Sequence, residues 1–242
     1  MLFVAFALSF IFFSLGFVVT PNNAKYILSG YNTMTEAERA KIDIVTYLKF
    51  FKRFHIVMGL SLFAGTVLLS LINNNWASMF MTTFPLAAYA WMILKGGAMY
   101  PVSKGKRLFS SVVAALLVGI AAVILITEFQ DFKSSDLVLT DNELTINGSY
   151  GLSLKKEEIL QNVIVDQLPE TGFLLQKVNG FAAGDYAKGR FKLKDKRVVW
   201  LFVNRKITPL LHLSTSKGDV YYNADELDIR EINAKISQWR GI

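Results

Sequence analysis

Acid–base or nucleophilic chemistry needs a titratable group held beside a partner, and this chain offers few such groups. It has two histidines and no cysteine among 242 residues, which leaves thiolate chemistry, disulfides and Cys-based metal sites without material. His55 follows Arg53 at the end of a long apolar run and reads as a histidine at a membrane edge. His212 falls in an alternating strand pattern. With Ser214 or Ser216 and an aspartate it could be imagined as a fragment of a triad, but no nucleophile-elbow sequence surrounds it, so an ordinary strand histidine is expected. A zinc site would need several His or Cys ligands, and the neighbourhood of Gly180 and Gly184 lacks a phosphate-loop pattern. The expectation is therefore no catalytic residue, no metal, no cofactor and no enzymatic activity.

The group that does stand out is a run of cations. Lys188, Arg190, Lys192 and Lys194 alternate with Gly189, Phe191 and Leu193, and alternate residues of a strand share a face. Lys196 and Arg197 follow at a turn. Such a face can dock on anionic headgroups or accept an acidic partner; the plain alternative is the solvated side of an ordinary hairpin.

The elements that must position these residues are set by where charge is missing. No charged side chain occurs from Met1 to Asn23, from Phe54 to Leu94 apart from His55, or from Leu108 to Thr127. A bilayer core needs about 20 apolar residues in a helix, and these blocks predict four spans: Leu2 to Val19, Phe54 to Ile72, Trp76 to Leu94 and Leu108 to Thr127. The second and third are joined only by Asn73-Asn74-Asn75. Ser61 with Gly65 and Ala115 with Gly119 have the small-xxx-small spacing of close helix contacts, within one chain or between copies in a homo-oligomer, and Pro85 is expected to kink the third span.

The net charge of +7 follows from the same layout. Up to Asp136 there are eleven Lys/Arg against six Asp/Glu, and beyond it fifteen against thirteen. The excess sits in two loops, at Lys25, Arg39, Lys41, Lys49, Lys52 and Arg53 and at Lys95, Lys104, Lys106 and Arg107, with none at the N-terminus or at Asn73 to Asn75. That alternation is an orientation signal and carries no nucleic-acid motif, so no nucleic-acid partner is expected. It predicts a cytosolic first and third loop, with the N-terminus and the C-terminal domain outside. A cleaved signal peptide is disfavoured because the first block lacks a basic start. With no Asp, Glu, Lys or Arg inside any predicted span, an ion pump or ion-coupled transporter is not expected.

In the first loop Thr35 and Glu38 have capping-box spacing, and Ile44, Tyr47, Leu48 and Phe51 then fall on one side of a helix, which predicts an amphipathic cytosolic helix over 35–53, at the headgroups or packed on neighbouring loops. After Phe132 short alternating runs take over. They predict strands at 137–140, 144–147, 150–154, 162–167, 173–178, 189–193, 197–203, 210–215 and 219–223, all antiparallel, in a closed or nearly closed barrel. Asn223 with Glu226 reads as a helix start, and Ile229, Ile232, Ile236 and Trp239 recur at helical spacing, a stripe expected to plug one barrel mouth. The division is a four-helix transmembrane domain over 1–133 and a β domain over 136–242.

Two stretches resemble known families. Ser29-Gly30-Tyr31-Asn32-Thr33-Met34 followed by Thr35-Glu36-Ala37-Glu38-Arg39-Ala40-Lys41 resembles a family of small bacterial membrane proteins of unknown function, over roughly the first 100 residues. In that family a Gly-Tyr-Asn-Thr loop and an acidic-basic helix follow the first of three spans; this chain would add a fourth. Val178-Asn179-Gly180-Phe181, Gly189-Arg190-Phe191-Lys192-Leu193, 210–215 and Tyr221-Tyr222-Asn223 resemble a bacterial pleckstrin-homology-like domain over 137–240. That resemblance implies a partly open barrel capped by a C-terminal helix, and does not imply phosphoinositide binding. Together they lead to the expectation of a multi-pass protein of the bacterial inner membrane that presents a binding or scaffolding domain to a protein, peptide or lipid ligand. The alternative is a small-solute channel or transporter component with a regulatory β domain.

Overall fold

The computed structural model describes residues 1–99, 104–170 and 176–241. The chain divides into two units, Met1–Thr127 and Glu128–Ile242.

The first unit contains α1 (Leu2–Val18), the single turns α2 (Ala24–Ile27) and α3 (Glu36–Arg39), then α4 (Ile44–Ile72), α5 (Asn74–Gly97) and most of α6 (Lys104–Asp131). Three of these, α4, α5 and α6, are long and apolar enough to cross a membrane. α1 is apolar but has 17 residues; at 1.5 Å per residue it reaches about 26 Å, short of a hydrocarbon core of about 30 Å. The first predicted span is therefore a shorter helix, and it packs along α4.

That packing is made by small residues. Ala5, Ser9 and Gly16 are the buried positions of α1, and a Cβ on Gly59 of α4 would lie 2.7 Å from the Ser9 carbonyl oxygen. The spacing read from sequence pointed elsewhere. Ser61 is exposed, Gly119 has nothing within 4 Å, and Gly65 meets the ring of Phe80.

The expected amphipathic helix is divided. Thr35 forms its capping box, with Thr35 N donating to Glu38 Oε2 at 2.9 Å and Glu38 N donating to Thr35 Oγ1 at 3.3 Å, but α3 ends at Arg39. Asp43 then starts α4 by accepting from Thr46 N at 3.0 Å, so Ile44 to Arg53 are the first turns of α4. Between α4 and α5, Asn73 Oδ1 accepts from Asn75 N at 2.8 Å and Trp76 N at 3.2 Å, which lets one residue close the hairpin. Pro85 lies inside α5, which runs unbroken through it.

In the second unit β1 (Leu137–Leu139), β2 (Glu143–Ile146) and β3 (Leu152–Lys155) form an antiparallel sheet. A second sheet contains β4 (Ile159–Val165), β5 (Gln176–Ala183), β6 (Tyr186–Lys192), β7 (Val198–Asn204), β8 (Leu210–Thr215) and β9 (Val220–Tyr222), in the order β4-β8-β9-β7-β6-β5. The pair β7–β9 is parallel, which corrects the all-antiparallel expectation. The predicted strand at 173–178 lies outside the described residues as far as Leu175; its remainder begins β5.

Each face of the larger sheet has its own core. On one, Phe202, Leu211, Leu213, Val220 and Tyr222 pack with Leu144, Ile146 and Leu154 of the smaller sheet and with Ile229, Ile232 and Ile236 of α7 (Ile229–Arg240). On the other, Phe191, Val199, Leu201, Val203, Leu210 and Tyr221 pack together. Val165 of β4 and Ala182 of β5, the two outer strands, both rest on that second cluster, so the sheet curls until its outer strands share a core. Its hydrogen bonds do not close a ring among the described residues. α7 covers the first cluster and contacts β4 and β8, in place of plugging a barrel mouth. Its N-cap is Asp228, which accepts from Arg230 N at 2.8 Å, so Asn223 is not the helix start.

Candidate functional site

The six predicted cations belong to β6 and the turn into β7. Register places Tyr186, Lys188, Arg190 and Lys192 opposite Asn204, Phe202, Trp200 and Val198, so the first three cations do share a face, as alternation requires. That face is also the one that carries Phe202 into the first core. Lys188, opposite Phe202, is accordingly 5% exposed. Arg190 is exposed with its guanidinium over the Trp200 ring, 5.6 Å from the centroid, and Lys192 is half-buried.

The turn that follows is tight. Leu193 N donates to Arg197 O at 2.8 Å, Lys196 N donates to Leu193 O at 3.0 Å, and Lys196 has φ 71°. Its charges are partly paired. Lys194 Nζ is 3.1 Å from Glu170, and Arg197 bridges Asp195 at 2.7 Å and Asp219 at 3.2 Å. Asp195 holds the Arg197 guanidinium above its ordinary value. Pro169, Glu170, Leu193, Lys194, Asp195 and Arg197 line a shallow depression. Arg190, Lys192 and Lys196 have no acidic partner among the described residues.

Lys188 belongs to a polar cluster that alternation cannot reveal. Tyr186 Oη donates a short hydrogen bond to Asp225, whose other oxygen accepts from Asn204 Nδ2 at 2.8 Å. Asp225 N donates to Ser134 Oγ at 2.9 Å, and Tyr222 Oη to Ser135 O at 2.8 Å. The connection between α6 and β1 is thereby fastened to the strands. Burial pushes the Lys188 amine below its ordinary range, against the opposing fields of Asp131, Asp225 and Asp136. The folded protein thus releases this proton at lower pH than the unfolded chain, so this group contributes a stability that rises with pH between its depressed value and the ordinary 10.5. Lys188→Met should flatten that alkaline rise and leave the urea midpoint at pH 7 equal or higher. Urea unfolding of wild type and variant at pH 7 and pH 10 checks it, and a lowered midpoint at pH 7 would mean the ammonium is a net stabiliser.

The two histidines are both engaged. His212 Nε2 lies 3.1 Å from Asp219 Oδ1, and its ring stacks on Tyr221 at 4.7 Å. Neither Ser214 nor Ser216 appears in that network. His55 is 1% exposed, with Nδ1 2.8 Å from Phe51 O and Nε2 3.2 Å from Tyr89 Oη. It is an internal link between α4 and α5. No group of three or more His, Cys, Asp or Glu is placed to hold a metal among the described residues.

The architecture defines a class: a helical region with three helices able to cross a membrane, followed by a separately packed, mostly-β unit that ends in a helix. Residues 6–100 match the family model described as Domain of unknown function (DUF3784), which covers the Gly-Tyr-Asn-Thr loop and the helices up to α5. No curated protein and no solved structure matches the chain.

Proposed function

We propose that the protein is a multi-pass protein of the bacterial inner membrane whose β unit is a pleckstrin-homology-like binding module for an anionic partner, and that it is not an enzyme. The observation that carries this reading is the set of cations Arg190, Lys192 and Lys196, unpaired with acids among the described residues, on a hairpin whose strand registers and tight turn are fixed. The curled sheet and final helix support the pleckstrin-homology-like comparison; the parallel β7–β9 pair and the separate three-stranded sheet depart from it. Only residues 132–136 separate α6 from β1, so the module is tethered within about 18 Å of chain from the end of that helix.

Full-length protein in zwitterionic nanodiscs should bind a fluorescent oligoglutamate peptide, and R190E/K192E/K196E should weaken that binding at least about tenfold at low salt, where exposed charges are least screened. Equal binding by wild type and the triple variant would remove the proposal. The basic first and third loops support a module on the extracytoplasmic side. A C-terminal alkaline phosphatase fusion should then be active and a C-terminal green fluorescent protein fusion dark; the opposite pair of results reverses the topology.

A further inference from the structure

The two sheets of the second unit have four outer strands, β1, β3, β4 and β5. An outer strand points alternate amides and carbonyls away from its one neighbour and is a template for an added strand unless something covers it. Three of the four have a backbone carbonyl on or beside them taken by a side-chain donor. Arg240 Nη2 donates to Leu160 O of β4 at 2.8 Å, Lys217 Nζ to Ser153 O of β3 at 3.1 Å, and Trp239 Nε1 to Thr140 O, just after β1, at 2.7 Å. α7 also engages β4 through Asn162 Nδ2, which donates to Ser237 Oγ at 2.8 Å.

β5 differs. Among the described residues no side chain donates to a carbonyl of 176–183, and Gln176, Lys177, Val178 and Asn179 are all exposed, Val178 to 52%. Its far end is the covered one, where Phe132 packs edge-on against Phe181 at 5.3 Å. The surroundings of the open end are basic. Lys177 is on the strand, and Lys192 and Arg190 lie across the β5–β6 ladder from Gln176 and Asn179. Strands in a sheet are about 4.8 Å apart, so a strand added to β5 would run about 10 Å from β6, within reach of long cationic side chains and close to a Debye length of about 8 Å.

We propose that β5 is a strand-addition site that takes an extended acidic segment of another protein, main-chain pairing supplying affinity and Lys177, Arg190 and Lys192 selecting charge. This rests on the reading of the β6 cations as an anion-binding surface and names the class of partner. A lysine and a bulge on an outer strand also guard against promiscuous pairing, and β5 has both, with its register shifting between Lys177 and Asn179. If guarding is their whole role, no peptide pairs there.

The test uses full-length protein in zwitterionic nanodiscs and an eight-residue peptide of alternating glutamate and valine, matched in length to β5. Bound peptide should slow amide exchange within 176–183. N-methylation of every second peptide residue, in whichever of the two frames faces the strand, should weaken binding at least about tenfold, because it removes several main-chain hydrogen bonds at once. R190E/K192E should weaken it as well. Unchanged exchange in 176–183, or equal binding of the native and both N-methylated peptides, overturns strand addition. Equal binding that still falls with charge reversal leaves the anion-binding reading standing alone, and failure of both the oligoglutamate and the alternating peptide removes both.

Discussion

Asn223→Ala is expected to cost the second unit about 3 kcal/mol, a large share of the stability of a domain this size. Asn223 is 1% exposed. Its Oδ1 accepts from Asn204 N at 2.7 Å, and its Nδ2 donates to Asn204 O at 2.9 Å and to Ile207 O at 2.8 Å. One side chain thus satisfies three backbone groups of the connection between β7 and β8, strands that are not neighbours in the sheet. Truncation leaves those groups without partners, and each unsatisfied buried polar group costs about 1–3 kcal/mol, less where water reaches it. Asn223→Asp keeps the shape and the acceptor but loses the Nδ2 donor, so it should destabilise nearly as much. Urea denaturation followed by the exchange of 198–222 amides reads both variants. A midpoint within error of wild type would show that the connection is held by something other than this clamp.

In the first unit, Gly59→Leu should detach α1 from α4, while Gly119→Leu should have almost no effect on packing within the chain. A Cβ at Gly59 meets backbone, 2.7 Å from Ser9 O and 2.9 Å from Phe13 N, and backbone has no rotamer by which to withdraw. At Gly65 the obstacle is the end of the Phe80 ring at 2.6 Å, which can turn aside, so Gly65→Ala should be milder than Gly59→Ala. Overpacking of this kind costs about 1–3 kcal/mol for the smaller change and more for the larger. Limited proteolysis of the detergent-solubilised protein provides the readout, with faster cleavage between Val19 and Asp43 expected for Gly59→Leu alone. Equal cleavage rates for the Gly59 and Gly119 variants would place the α1 contact elsewhere.

How legible these features were depends on what a local pattern encodes. Runs without charge locate apolar helices, and the Thr35–Glu38 spacing locates a helix start, because both effects act within a few residues. Whether α1 is long enough to span depends on where it stops at Val18, which composition does not determine. Alternation around Lys188, Arg190 and Lys192 correctly groups them on one face, but it cannot say that Phe202 shares that face and draws Lys188 inward. Asn223 and Glu226 have the spacing of a cap, yet Asn223 makes its bonds to residues 16 and 19 positions earlier, a relation only the folded sheet creates. The edge contrast between β4 and β5 is likewise invisible in sequence, since Arg240 is 80 residues from the carbonyl it covers.

The position of β9 bears on how the chain is made. β4 and β8 form one ladder, β5, β6 and β7 another, and among the described residues the only strand hydrogen-bonded to both groups is Val220–Tyr222. Those three residues also feed both cores, Val220 and Tyr222 into one and Tyr221 into the other. A chain ending just before residue 220 would therefore hold two ladders that no strand joins among the described residues, linked through Asp219, which accepts from Trp200 N at 2.8 Å and lies 3.1 Å from His212 Nε2. The larger sheet can be completed only once Val220–Tyr222 is available to pair with both ladders. Until then the ladder edges that β9 will occupy are open to pairing with other chains.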